Sequence, residues 1–121
     1  TERLHNIDAR VSVFLDADPL QLEQAPETGI DRIELYTGPY AEAASRGETE
    51  SALQPFTATA EAALALGVGV NAGHDLNLSN LKDFAENVPH LAEVSIGHAL
   101  ICDALYLGIE KTVKQYLDCL K

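Results

Sequence analysis

The sequence predicts an α/β fold, in which parallel β-strands alternate with crossover helices. Its 121 residues are the length of one domain. A hydrophobic content of 46% with 22% charged residues is typical of a globular chain rather than a disordered one. Short runs rich in β-branched residues recur along the chain, and each is followed by a polar turn and a longer amphipathic stretch.

The first strand–helix unit is predicted from residues 10–16, which form a β-branched, apolar run. Asp18 is placed to cap the helix that follows, because its short carboxylate can accept from the first free backbone N–H groups. Pro19 would occupy the first helical position, and Gly29 would lie just past the end of the helix.

The second unit begins with a strand predicted at residues 32–36. A turn-rich stretch from Thr37 to Gly47 then leads into a long helical segment that ends at Gly67. Pro55 interrupts this segment, so the helix is expected either to begin at the proline or to kink there.

The last two units are shorter. Their strands are predicted at residues 68–71 and 93–96, and Asn77 is expected to cap the helix between them. Gly97 precedes a terminal helical region that is expected to break near Gly108.

Four strands alternate with four helical segments, and no linker divides them, so residues 1–121 are expected to form one unit without an internal boundary. An open flavodoxin-like sheet and part of a (β/α)8 barrel both fit this pattern. A whole barrel needs about 250 residues, so the chain would supply about four of its eight units. In the barrel, four valines are expected to face the interior: Val11, Val13, Val70 and Val94.

Acidic residues outnumber basic ones by 19 to 8, which gives a formal net charge of −11. Such a chain repels phosphate backbones and anionic lipid, so nucleic-acid and membrane-surface binding are not expected. No apolar run approaches the roughly 20 residues of a membrane span, and no signal peptide opens the sequence. Cys102 and Cys119 lack a CxxC context and indicate reduced thiols in a cytoplasmic protein.

Glu34 is the most informative single residue. Side chains alternate along a strand, so Glu34 points away from Ile33 and Leu35 and into the opposite side of the sheet. A carboxylate there should be partnered or functional, because burying an unpaired charge is costly. The alternative to a functional role is a structural ion pair with Arg10 or Arg32.

Two histidines follow the carboxyl ends of predicted strands, where the active sites of α/β proteins lie. His74 lies in a tight loop after Gly73 and can exchange protons near neutral pH; the alternative is a turn histidine held by Asp75. His98 follows Gly97 at a helix start, which suits a phosphate group, although capping alone would also explain it. No HxH or HExxH spacing predicts a metal site.

Four segments resemble the pyridoxine 5'-phosphate synthase family, in order and at fitting spacing across nearly the whole chain. They are VSVFLDADP at 11–19, DRIELYTG at 31–38, VNAGHDLN at 70–77 and EVSIGHAL at 93–100. The resemblance is to the carboxyl-terminal half of that family, the fifth to eighth units of a (β/α)8 barrel. It therefore implies that the chain supplies half of a TIM barrel.

The family's enzyme is a transferase that condenses 1-deoxy-D-xylulose 5-phosphate with 3-amino-2-oxopropyl phosphate to pyridoxine 5'-phosphate, phosphate and water. The resemblance implies no metal or organic cofactor, a cytoplasmic location and a homo-octamer. It also implies the amino-terminal half of the barrel as a partner, because that half carries the remaining catalytic residues. The chain alone is therefore expected to be inactive. The competing expectation is a stand-alone flavodoxin-like domain that binds a phosphorylated small molecule or a protein.

The resemblance also implies a role for each candidate residue. Glu34 would stabilise charge during the reaction, and His74 would donate a proton. Asp75, where other members carry glycine, would contribute a backbone amide near the substrate. Gly97 and His98 would hold the phosphate of the amino-ketone substrate.

Overall fold

A computed structural model describes residues 1–121 and contains one parallel sheet of four strands in the order β1-β2-β3-β4. The strands are β1 Ser12–Leu15, β2 Arg32–Tyr36, β3 Gly69–Gly73 and β4 Leu91–Ser95. The predicted α/β class is confirmed. A flavodoxin-like sheet would place the first strand between its second and third. The observed order follows the chain, as it does in a barrel, so the flavodoxin-like alternative is not favoured.

Seven α-helices and one 3₁₀ turn connect and flank the strands. They are α1 Glu2–His5, the 3₁₀ turn Pro19–Leu22, α2 Ala25–Thr28, α3 Gly38–Ser45, α4 Thr49–Ala65, α5 Leu81–Asn87, α6 His98–Leu107 and α7 Ile109–Asp118. None of these helices is both long enough and apolar enough to cross a membrane.

The first connection is made of two short pieces rather than one helix. Asp18 caps the 3₁₀ turn as expected, because its carboxylate accepts a hydrogen bond of 3.0 Å from the Leu20 N–H. Gly29 ends α2 with a φ of +69°, a left-handed conformation that glycine adopts without a steric penalty.

The prediction of a turn-rich stretch at residues 37–47 was wrong, since most of it is helix α3. Pro39 lies in the first turn of this helix, where the missing N–H breaks no hydrogen bond. Tyr40 and Ala43 bury one side of α3 in the core, which stabilises a helix that its turn-like sequence did not indicate. Helix α4 begins at Thr49 and runs through Pro55, so the alternative that it begins at the proline was also wrong.

Asn77 does not cap α5. Its side chain accepts hydrogen bonds from the Ser79 N–H at 2.9 Å and the Ser79 hydroxyl at 2.6 Å, which closes a local turn. The N-cap of α5 is Asn80. The third strand ends at Gly73, two residues later than predicted, and the fourth begins at Leu91, two residues earlier than predicted. The predicted break of the terminal helical region at Gly108 is confirmed.

Helices cover one face of the sheet and form the core with it. Tyr40, Phe56 and Phe84 pack in this layer with ring centroids 5.0 to 6.1 Å apart. Ile33 and Val70 are register partners and are buried against these helices.

The four valines therefore do not face a barrel interior, and that expectation was wrong. Val13 pairs with Ile33 and Val94 pairs with Ala72, so both lie on the helix-covered face. Val11 and Val70 are themselves buried in the core. The physical reason is strand alternation: the four valines occupy the alternate positions whose side chains point to the face that the helices cover.

The opposite face of the sheet, here called the inner face, is mostly polar. It is formed by alternate strand positions: Ser12, Phe14, Arg32, Glu34, Tyr36, Gly69, Asn71, Gly73, Glu93 and Ser95. In a closed barrel this face would line the interior. Glu34 lies on it, as its position in the strand predicts.

Candidate active site

The amino-terminal part of the inner face is an ion network centred on Glu93. The Glu93 carboxylate accepts a hydrogen bond of 2.8 Å from Arg10 and pairs with Arg32 at 3.0 Å. Asn71 donates to the same carboxylate at 3.2 Å and accepts from Arg32 at 2.9 Å. Desolvation alone would raise the pKa of Glu93, but the hydrogen bond and charge of Arg10, with the charge of Arg32, lower it.

This network leaves Glu34 without a partner. The two arginines that could have paired with Glu34 are bound to Glu93, so the structural ion-pair alternative is not what the fold contains. Glu34 makes no side-chain hydrogen bond or ion pair within residues 1–121. Its carboxylate lies over Gly73, in the place that a β-carbon would fill. A half-buried carboxylate with no internal partner is free to interact with a bound molecule.

His74 follows β3 directly and lies beside Tyr36, with the two rings edge to face and their centroids 4.8 Å apart. Its Nδ1 is 3.0 Å from a carboxylate oxygen of Asp75. The contact expected for a turn histidine is thus present. The imidazole is nevertheless about half exposed, at 53%, and its other nitrogen can reach a ligand.

Gly97 and His98 form the junction between β4 and α6. The first helical hydrogen bond of α6 runs from the Ile101 N–H to the Gly97 carbonyl at 3.1 Å, so the amides before Ile101 have no helical acceptor. A β-carbon at Gly97 would meet nothing within 4 Å, which means that the space next to its backbone is open. The His98 Nε2 lies 3.6 Å from the Cys102 sulfur.

One cleft of about 420 Å³ joins these two strand ends. It is lined by His74, Asp75, Leu76, Asn77, Ser95, Ile96, Gly97, His98 and Ala99. Four of the five residues selected from the sequence therefore meet in it. Glu34 does not line this cleft but lies next to it. Gly73 contacts both the Glu34 carboxylate and Ser95, and Ser95 lines the cleft.

Sequence reasoning missed Tyr36 and the pairing of Arg32 with Glu93. The alternation of side chains along a strand predicts the position of Tyr36, because Tyr36 lies two residues after Glu34 in β2 and therefore on the same face of the sheet. Thr37 is the polar residue expected at the end of the second strand, but the partner of its buried hydroxyl, the His74 carbonyl, was not predicted. No group of three or more His, Cys, Asp or Glu side chains is arranged to hold a metal ion.

The sequential parallel sheet, the polar inner face and the cleft at the carboxyl ends of the strands define an α/β protein of the (β/α)8-barrel type. The family model of the pyridoxal phosphate biosynthesis protein PdxJ matches residues 1–121, and the chain belongs to this family.

Curated relatives named pyridoxine 5'-phosphate synthase are similar to the chain over nearly its whole length. The Porphyromonas gingivalis protein is 55% identical over 117 residues, which are 97% of this chain and 49% of the relative. The Bacteroides thetaiotaomicron protein is 51% identical over 120 residues, which are 99% of this chain and 50% of the relative. The chain spans about half the length of the curated relatives it matches.

Proposed function

We propose that the chain forms half of the catalytic barrel of a pyridoxine 5'-phosphate synthase. The reaction condenses 1-deoxy-D-xylulose 5-phosphate with 3-amino-2-oxopropyl phosphate and yields pyridoxine 5'-phosphate, phosphate and water. The observation that carries the proposal is the single cleft at which His74, Asp75, Gly97 and His98 meet, beside the unpartnered Glu34. The 51 to 55% identity to proteins of this name supports the same reaction.

His74 acts as the proton donor. Joining an amine to a ketone and expelling water and phosphate requires repeated proton transfers, and an imidazole exchanges protons at neutral pH. The Asp75 carboxylate 3.0 Å from Nδ1 orients the ring, which leaves Nε2 for the substrate. General acid–base catalysis by such a group contributes about 10²- to 10⁴-fold.

Glu34 stabilises positive charge. A carbinolamine that loses water passes through a cationic iminium species, and a fixed carboxylate lowers the energy of that species. The absence of an internal cation at Glu34 supports this role, because its charge is not already neutralised by an arginine.

The Gly97–His98 junction binds the phosphate of the amino-ketone. The amides at the start of α6 have no helical acceptor, and His98 and Ala99, which carry two of them, line the cleft, where the helix dipole also favours an anion. Local donors are needed because the formal charge of −11 opposes the approach of a phosphorylated substrate. Asp75 contributes its backbone amide.

The proposal extends to the assembly. Residues 1–121 are one half of a single barrel domain, and the amino-terminal half supplies the other strands and the remaining catalytic groups. The complete enzyme is a cytoplasmic transferase and a homo-octamer, and it uses no metal or organic cofactor. A stand-alone phosphate-binding domain fits less well, because the strand order is sequential.

The test is to assemble the barrel and assay it. The chain is joined to the complementary half of the Porphyromonas gingivalis relative, and that relative split and rejoined at the same point is the control. We expect pyridoxine 5'-phosphate and inorganic phosphate to form in equal amounts. A folded assembled barrel that yields neither product, beside an active control, would refute the proposal.

A further inference from the structure

The backbone at His74 is strained. Its φ is +97°, and the φ of Asp75 is +56°, so two consecutive residues with side chains lie in the left-handed region. L-residues rarely adopt these angles, and they keep them only where neighbouring groups hold them in place. The position of the His74 ring therefore depends on whatever fixes this backbone.

Thr37 fixes both peptide groups that flank His74. The Thr37 N–H donates a hydrogen bond of 2.9 Å to the carbonyl of Gly73, which belongs to the peptide before His74. The Thr37 hydroxyl donates to the carbonyl of His74, which belongs to the peptide after it. Because the two bonds hold successive peptide planes, they restrain both dihedral angles of His74.

The other neighbours of His74 act on its ring rather than its backbone. Tyr36 contacts the imidazole edge to face, and the Asp75 carboxylate lies 3.0 Å from Nδ1. Thr37 itself is fully buried and does not line the cleft, so it has no access to a substrate there. Its hydroxyl can influence the reaction only through the residue that it holds.

We propose that Thr37 is a positioning residue that holds the proton donor His74 in its reactive place through the hydroxyl bond to the His74 carbonyl. The inference rests on the proposed function and adds to it a residue outside the cleft. Without the hydroxyl, the peptide after His74 is released and its backbone relaxes toward ordinary angles. The ring then moves away from the reacting atoms, and a displacement of about 1 Å costs on the order of 10²-fold in rate.

The experiment compares Thr37→Val with Thr37→Ser in the assembled barrel. Valine keeps the shape of threonine and removes the hydroxyl, whereas serine keeps the hydroxyl. We expect Thr37→Val to lower kcat by about 10- to 100-fold, with KM for both substrates changed by no more than about threefold. Thr37→Ser should restore most of kcat.

Thr59→Val is the matched control. Thr59 is also fully buried, and its hydroxyl also donates to a backbone carbonyl, that of Pro55 at 2.7 Å within α4. The same substitution there removes an equivalent hydrogen bond from a residue that does not line the cleft. It should lower thermal stability by a similar amount and leave kcat unchanged.

A double-mutant cycle with His74→Ala separates positioning from general structural damage. If Thr37 acts through His74, Thr37→Val should change the residual kcat of His74→Ala by less than about twofold. Should Thr37→Val fail to fold, Thr37→Ala carries the same expectation, since it removes the hydroxyl without placing a methyl group against the carbonyl.

The outcomes are distinguishable. A folded Thr37→Val with the kcat of the wild type would overturn the role of Thr37 and leave the proposed function intact. An equal loss of kcat in the wild-type and His74→Ala backgrounds would also overturn it. An assembled wild-type barrel without synthase activity would instead overturn the proposed function, and with it the role of Thr37.

Discussion

The carboxylate of Glu34 occupies the space that a β-carbon at Gly73 would fill. A β-carbon there would overlap the Glu34 Oε1 and come within 3.0 Å of the Ser95 β-carbon. Gly73 is the last residue of β3, and its own φ does not require glycine. The glycine is therefore needed for space: it lets the carboxylate lie flat on the sheet, next to the cleft.

The first prediction follows from this contact. Gly73→Ala should displace the Glu34 carboxylate and lower kcat of the assembled barrel by about 10- to 100-fold, with small changes in KM. Gly67→Ala is the control, because Gly67 has a φ of +72° and open space around it. It should cost about 1 kcal/mol of stability and leave kcat unchanged. Equal kcat for the two variants would contradict the spatial argument.

The second prediction concerns the reacting centre. Glu34→Gln and His74→Ala should each lower kcat by about 10²- to 10⁴-fold, because in the proposed function they remove a charge and a proton donor that act in the transition state. KM values should change modestly. Steady-state kinetics on folded variants, checked by circular dichroism, measures both constants. Variants that lose substrate binding or folding while keeping turnover would point to structural roles.

The third prediction concerns the phosphate site. Gly97→Val places a branched side chain in the open space beside the Gly97 backbone. Losing one hydrogen bond to a charged group should weaken binding of 3-amino-2-oxopropyl phosphate by about 10- to 100-fold. Binding of 1-deoxy-D-xylulose 5-phosphate to the same variant is the internal control and should not change. Calorimetry measures both affinities, and an unchanged amino-ketone affinity would remove Gly97 from the site.

The fourth prediction is a pH dependence of stability at the Glu93 network. The pKa of Glu93 is lowered from 4.5 in the folded protein, because the effects of Arg10 and Arg32 outweigh desolvation. A lowered folded-state pKa means that the stabilisation is complete above the unfolded value and is lost as the pH falls through the folded value. Glu93→Gln should therefore lower the urea midpoint at about pH 7, and this difference should shrink as the pH falls below 4.5.

Glu42→Gln is the control for this measurement. Glu42 pairs with Arg46 at 2.7 Å, but both side chains are exposed on the surface of α3 and beyond its end. Such pairs contribute little to stability. A Glu93→Gln effect at about pH 7 that is no larger than that of Glu42→Gln would mean that the network does not stabilise the fold.

Much of the architecture could be predicted from the sequence. The bounds of β2 agree with the prediction at both ends, because its β-branched and aromatic residues lie between clear turn residues. The sequence also predicted that α6 starts after Gly97 and that the terminal helical region breaks at Gly108, where φ is +83°. Helix α3 was not predicted, because Gly38 and Pro39 are typical turn residues and the sequence does not show that the helix is buried.

The candidate site also has features that the sequence predicts and features that it does not. That His74 and His98 line one cleft follows from parallel strands, whose carboxyl ends meet at one edge. The partner of Arg32 did not follow, since it depends on the pairing register across three strands. That register shifts between Val70 and Asn71, which brings Asn71 opposite Glu93. A shift of this kind leaves no signal in one sequence.

The last prediction concerns the 121-residue chain alone. In the sheet, β1 and β4 each pair with a single neighbour, so both edges expose free backbone groups. Large apolar side chains are also exposed, among them Phe14 at 69% on the inner face and Leu105 at 80% on α6. Each Å² of apolar surface left exposed loses on the order of 25 cal/mol of stabilisation. This loss is large relative to a domain's total stability of about 5–15 kcal/mol.

We therefore expect the chain alone to dimerise or aggregate and to make no pyridoxine 5'-phosphate. Light scattering gives its mass in solution, and an assay with both substrates gives its activity. Adding the complementary half should reduce the association, because it would pair both open edges and cover the inner face. It should also restore turnover, because it would supply the remaining catalytic groups. A stable, active monomer would contradict this expectation.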